Sequence, residues 1–126
     1  MTVHGIVVSV VSPREASDVT VLKVSGYLDT TTASELESAL NGLLNKGCSK
    51  IVVDLSGVTY ISSAGWGIFI GEIKEIRSRG GDLKLAGMVG DVFEVFQLLE
   101  FQTILEAYPS AGEAIEAFPK QPSTRA

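Results

Sequence analysis

A chain of 126 residues, 45% hydrophobic and 20% charged, has the length and composition of one compact domain with a single core. Its 10 Lys+Arg against 15 Asp+Glu leave a formal charge of -5, which argues against direct contact with nucleic acid, because phosphate-backbone binding needs a basic stripe. The only cysteine, Cys48, leaves nothing for an internal disulfide, and the only histidine, His4, leaves too little for a zinc site or a His-based triad, so most enzyme chemistry is excluded.

The apolar run from Val3 to Val11 has no positive residue ahead of it and no small-residue cleavage site behind it, so it is not read as a secretory signal. No stretch reaches the roughly 18 apolar residues of a membrane span, and a soluble, cytoplasmic domain is expected. Ile6 to Val11 predicts a first strand, Ser12 to Asp18 a turn, and Val19 to Ser25 a second strand antiparallel to the first. Gly26-Tyr27-Leu28-Asp29 then leads off the sheet. Thr32 and Glu35 have the spacing of a capping box, and Ala33, Leu36, Leu40, Leu43 and Leu44 follow at helical period until Gly47. Ile51 to Leu55 is a continuous β-branched run, the pattern of a strand covered on both faces.

A second helix is expected from Ala64 to Arg79, with Trp66, Phe69, Ile70, Ile73 and Ile76 facing in and Glu75–Arg79 as an i,i+4 ion pair. Gly80-Gly81 ends it. Leu83 to Ala86 predicts a short strand. A third helix follows from about Asp91 to Glu100, with Val92, Val95, Phe96 and Leu99 buried, then a last short strand from Thr103 to Ala107. Burial on that helix should also account for most of Leu98, Leu99 and Phe101. Ser110 and Glu113 form another capping box, opening a helix with Ala114, Ile115 and Phe118 inward and Pro119 at its close. The fold class is α/β, a small mixed sheet of four to five strands with helices packed mainly on one face. Residues 1–118 form one domain and 119–126 a flexible tail.

Between the buried strand and the second helix, Ser56, Thr59, Ser62 and Ser63 crowd together, and Gly65 and Gly67 fall in the first turn of the helix. Glycine there costs about 1 kcal/mol relative to alanine, so something requires a thin turn. The simplest reading makes Ser62 or Ser63 an N-cap with close packing at the glycines. A dinucleotide fingerprint fails because Gly65, Gly67 and Gly71 are one residue off its spacing. A hydrolase elbow fails for want of its G-x-S-x-G frame. A serine offered for regulatory phosphorylation accounts for the hydroxyl, the small neighbours and the helix start together.

The run Asp54-Leu55-Ser56-Gly57-Val58, followed by Ile61-Ser62-Ser63-Ala64-Gly65-Trp66-Gly67, resembles the signature of the STAS domain, in particular that of bacterial anti-sigma factor antagonists. Gly26-Tyr27-Leu28-Asp29 resembles the family's other marker, and the likeness extends from about residue 5 to 118. The resemblance implies partner-switching. The unphosphorylated protein binds an anti-sigma factor that is itself a serine kinase and so frees the sigma factor. Phosphorylation of one serine breaks that complex, and a PP2C-type phosphatase restores it. The matching serine is Ser63, with Ser62 as the alternative, because the family commonly carries Asp where this chain has Ser62.

On this resemblance the partner-contacting candidates are Asp29, Ser62, Ser63, Gly65 and Trp66, although Trp66 also reads as core. No cofactor or metal is implied, ATP and magnesium belonging to the kinase, and the free protein is expected to be a monomer. The rival expectation is a STAS interaction module that is never phosphorylated, serving a stress-signalling scaffold or a transporter or lipid-transfer complex.

Overall fold

The computed structural model describes residues 6–11 and 18–119. Residues 12–17 of the expected Ser12–Asp18 turn, residues 120–126 of the expected 119–126 tail, and His4 lie outside the described residues. In chain order the elements are β1 (Ile6–Val11), β2 (Thr20–Leu28), α1 (Ala33–Asn45), β3 (Lys50–Ile61), α2 (Ser63–Ser78), β4 (Asp82–Ala86), α3 (Gly90–Leu98), a 3-10 helix (Phe101–Thr103), β5 (Glu106–Tyr108) and α4 (Ala111–Glu116).

The strands lie side by side in sequence order in one sheet. β1 runs antiparallel to β2, and β2, β3, β4 and β5 are mutually parallel. Parallel neighbours need crossover helices, and α1, α2 and α3 supply them on one face. Leu22, Val24, Ile51, Val53, Leu83 and Leu85 project from the strands into that core, where Leu36, Leu40, Phe69, Ile73 and Phe96 meet them. The opposite face holds a smaller cluster, in which Ala114 and Phe118 of the last helical segment cover Val19, Val21, Val52 and Ala86. β3 and β4 are therefore buried on both faces, as the Ile-Val-Val run requires.

Lys84 is also buried on the α4 face. It is held by Glu106 Oε1 at 2.6 Å, by Asp82 at 3.4 Å, and by the Phe118 ring, whose centroid is 4.8 Å away. Burial opposes its charge, but Glu106 and Asp82 outweigh that and hold the ammonium above its usual range.

The expectations need correction at four points. β3 does not end at Leu55 but continues to Ile61, and Gly26 to Leu28 do not leave the sheet but extend β2, because Gly57 to Ile61 pairs with Ser25 to Leu28. On α3 only Val92 and Phe96 face inward; Val95, Leu98 and Leu99 are exposed, Leu98 by 77%, because the rings of Trp66 and Phe101 already close the core beneath the helix. The last strand is Glu106–Tyr108 rather than Thr103 to Ala107. Glu100 ends α3 in the left-handed region, at φ 59, and the chain returns through the 3-10 helix.

The fourth correction concerns the cap of α1. Thr32 makes no side-chain bond into α1, its hydroxyl being used upstream by the Asp29 N–H and the Tyr27 carbonyl. Other expectations hold. Ser110 caps α4 through the Glu113 N–H, and Arg79 pairs with Glu75 at 2.8 Å.

Candidate functional site

Leu28 and Ile61 are the last paired residues of β2 and β3, so Asp29 and Ser62 leave the sheet side by side. The Ser62 N–H donates to the Leu28 carbonyl at 2.8 Å and fixes that exit. Ser62 is extended, with φ -84 and ψ 174, and is the N-cap of α2: its Oγ accepts from the Gly65 N–H at 3.3 Å. That use of an orphan donor is what serine does best at a helix start. Ser63 is the first helical residue and is exposed, and its hydroxyl makes no hydrogen bond to another described residue. The two hydroxyls are thus divided, Ser62 structural and Ser63 unengaged.

Asp29 is partly buried within its own turn. The Thr31 hydroxyl donates to its Oδ1 at 2.7 Å, and the N–H groups of Thr31 and Thr32 add bonds at 2.9 and 3.2 Å. The Thr31 hydroxyl is the main reason the carboxyl is held below the usual carboxylate range; burial works against it, and the two N–H groups reinforce it. Asp29 is therefore a charged, oriented carboxylate. The sequence reading missed Thr31 and took Thr32 as a helix cap rather than as a partner of Asp29, although a hydroxyl two or three residues after an Asp is a familiar turn signal.

Gly65 and Trp66, expected among the partner contacts, are buried. A Cβ on Gly65 would lie 2.9 Å from both Ile61 Cγ2 and Leu28 Cγ, whereas one on Gly67 would meet nothing within 4 Å. Only Gly65 explains the thin turn: it lets the start of α2 sit on the strand ends. Gly65→Ala should therefore destabilise the domain by about 1–3 kcal/mol. Gly67→Ala should stabilise it by about 0.5–1 kcal/mol. Urea denaturation of the two variants checks this, and equal midpoints would contradict it. Trp66 packs on Phe69, Phe96 and Phe101, with centroids 6.2, 5.9 and 5.0 Å away. It supports the site from below and does not touch its surface.

The charges are unevenly spread. Parallel strands bring the starts of all four helices to one end of the sheet, where Asp29 and the first-turn acids Glu35, Asp91 and Glu113 lie. At that end Lys23 of β2 is level with the last residues of β4 and β5, Ala86 and Tyr108. Lys46, Lys50, Arg77 and Arg79 are all at the other. Ser63 opens beside Asp29, its local positive charge coming from the N-terminus of α2.

The STAS domain profile matches residues 11–114. The chain belongs to the STAS domain family. It is 32% identical over 90 residues to the anti-sigma-B factor antagonist of Listeria monocytogenes serovar 1/2a, covering 71% of this chain and 79% of that one. It is 33% identical over 88 residues to the anti-sigma-B factor antagonist of Staphylococcus aureus, covering 68% of this chain and 82% of the other. The fold matches the crystal structure of an anti-sigma factor antagonist from Mycobacterium paratuberculosis with a TM-score of 0.78, at 24% identity over 89% of this chain and 92% of that one. In this STAS domain no described helix is long and apolar enough to cross a membrane.

Proposed function

We propose that this STAS domain is an anti-sigma factor antagonist that works by partner-switching. Unphosphorylated, it binds an anti-sigma factor that is a serine kinase, and the sigma factor is released. Phosphate on Ser63 turns the binding off, and a PP2C-type phosphatase restores it. The names of the relatives support the first statement. The observation that carries the rest is the exposed, unengaged Ser63 hydroxyl at the start of α2, beside a Ser62 whose oxygen is occupied.

The switch follows from charge. A kinase that modifies Ser63 must bring the terminal phosphate of ATP and an acidic catalytic base up to its Oγ. After transfer that phosphoryl group is on the serine, which carries about -1.5 to -2 charges and faces the ADP left behind and the acidic residue of the kinase. On the domain's own side, Asp29, which leaves the sheet beside Ser62, adds to the repulsion. The N–H groups at the start of α2 can accommodate the phosphate within the domain, so the fold survives while the complex does not. Ser62 in place of the family's usual Asp keeps the cap, because both are strong N-cap residues.

Incubation with the cognate kinase and ATP, followed by peptide mapping, should place one phosphate on Ser63. Ser62→Ala should still be labelled and Ser63→Ala should not. Phosphate on Ser62 would overturn the assignment, and no phosphate at all would leave the domain a non-phosphorylated interaction module.

A further inference from the structure

Among the described residues, the sheet face that carries α4 is covered over β3, β4 and β5 but bare where β2 and β3 end. There Tyr27 and Tyr60 are register partners, 51% and 55% exposed. Their neighbours Leu28 and Ile61 are buried against the helices on the other face, so strand alternation turns both tyrosines away from that core. The pairing skips Thr59, since Gly26 opposes Val58 and Tyr27 opposes Tyr60. This bulge is what brings the second ring opposite the first, and bulges commonly re-aim side chains beside functional sites. Val7 of β1, 65% exposed, opposes Ser25, two residues before Tyr27, and widens the patch to three strands.

We infer that Val7, Tyr27 and Tyr60 anchor the protein that docks on Ser63, so that the anti-sigma factor wraps from the start of α2 over the strand ends onto the bare sheet face. The inference rests on the switch reading of Ser63 and extends its interface. The patch is continuous with that site, Tyr27 lying two residues before Asp29 and Tyr60 two before Ser62. Neither phenol group hydrogen-bonds to another described residue. Exposed tyrosines with an apolar body and a free hydroxyl are the side chains that dominate interface energetics. Asp29 beyond the tyrosines at one edge of the patch and exposed Lys23, opposite Ser9 of β1, at the other call for a partner surface with an apolar centre and complementary charges of both signs around its rim.

The test titrates the cognate anti-sigma factor calorimetrically with wild type, Tyr27→Ser/Tyr60→Ser, Tyr27→Phe/Tyr60→Phe, Leu98→Ser and Ser63→Asp, each checked for an unchanged melting profile. The double Ser variant should bind about thirty-fold more weakly or worse, the double Phe variant close to wild type, and Leu98→Ser like wild type. Wild-type affinity from the double Ser variant, with Ser63→Asp still losing binding, overturns the anchor and leaves the switch standing. If Ser63→Asp also binds fully, the switch reading falls and takes the anchor with it. Weakening by Leu98→Ser alone moves the interface to α3. Should the tyrosine changes alter only the sedimentation of the free protein, the patch belongs to a second copy of this chain, which also overturns the inference.

Discussion

Ser63→Asp is expected to weaken binding to the cognate anti-sigma kinase several hundred-fold, while Ser63→Ala binds as tightly as wild type. Several hundred-fold corresponds to a coupling of about 3–4 kcal/mol between charge at this position and the docked partner. The asymmetry follows from the local geometry. Ser63 is exposed and its hydroxyl is unengaged, so its loss removes no contact inside the domain and should change stability by less than about 0.5 kcal/mol. A carboxylate at the first position of α2 meets the positive end of the helix, so the fold is kept or slightly strengthened. The whole effect then falls on the complex, where, on the proposed switch, the new charge would be desolvated against the nucleotide phosphates and acidic residue of the kinase. Calorimetry with both variants, alongside their thermal melts, measures it. Equal affinities for the two would remove the electrostatic basis of the switch.

Trp66→Ala should cost about 3–5 kcal/mol, the largest stability change expected from any single side chain near the site. Three phenylalanine rings lose their common neighbour: Phe69 on α2, Phe96 on α3 and Phe101 on the 3-10 helix. For a domain of this length the melting temperature should fall by on the order of 10–20 °C. The indole also has a liability. Its Nε1–H is buried and makes no hydrogen bond to another described residue, and an unsatisfied buried donor costs about 1–3 kcal/mol. Trp66→Phe removes that donor and keeps most of the ring contact, so it should lose less than half of what alanine loses. Denaturant titrations of the two variants make the comparison. A phenylalanine variant as unstable as the alanine one would mean that the indole N–H has a partner in solution.

The sheet and most of its helices were legible because their burial follows simple periods. Leu36, Leu40, Leu43 and Leu44 mark one helical stripe, and Ile51 to Val53 marks a strand closed on both sides. What stayed hidden depends on tertiary partners. Ser56 to Ile61 reads as loop because hydroxyls and Gly57 break its alternation, yet β2 offers it a bulged ladder. Nothing in the spacing of the short strand Leu83 to Ala86 marks Lys84 as buried, and only α4 and Glu106 reveal it. α3 looks apolar over more of its surface than the core accepts, so Val95, Leu98 and Leu99 could not be told from Val92 and Phe96 by spacing.

The site shows the same division. The hydroxyl pair and Asp29 stand out in the chain, but which serine serves the helix depends on the Leu28 carbonyl fixing Ser62 at the cap. Gly65 and Gly67 look equivalent in sequence, and only the nearness of Ile61 and Leu28 separates them. Tyr27 and Tyr60 become neighbours only once the β2–β3 register is known.

The chain has a single tryptophan, and its indole is shut away from water among aromatic rings, one helical turn from the serine at the start of α2. Such an indole emits toward the blue and shifts red when it meets solvent. The free protein therefore carries its own optical probe, without dye or label, in which one chromophore follows unfolding at the very helix on which the phosphate would be placed.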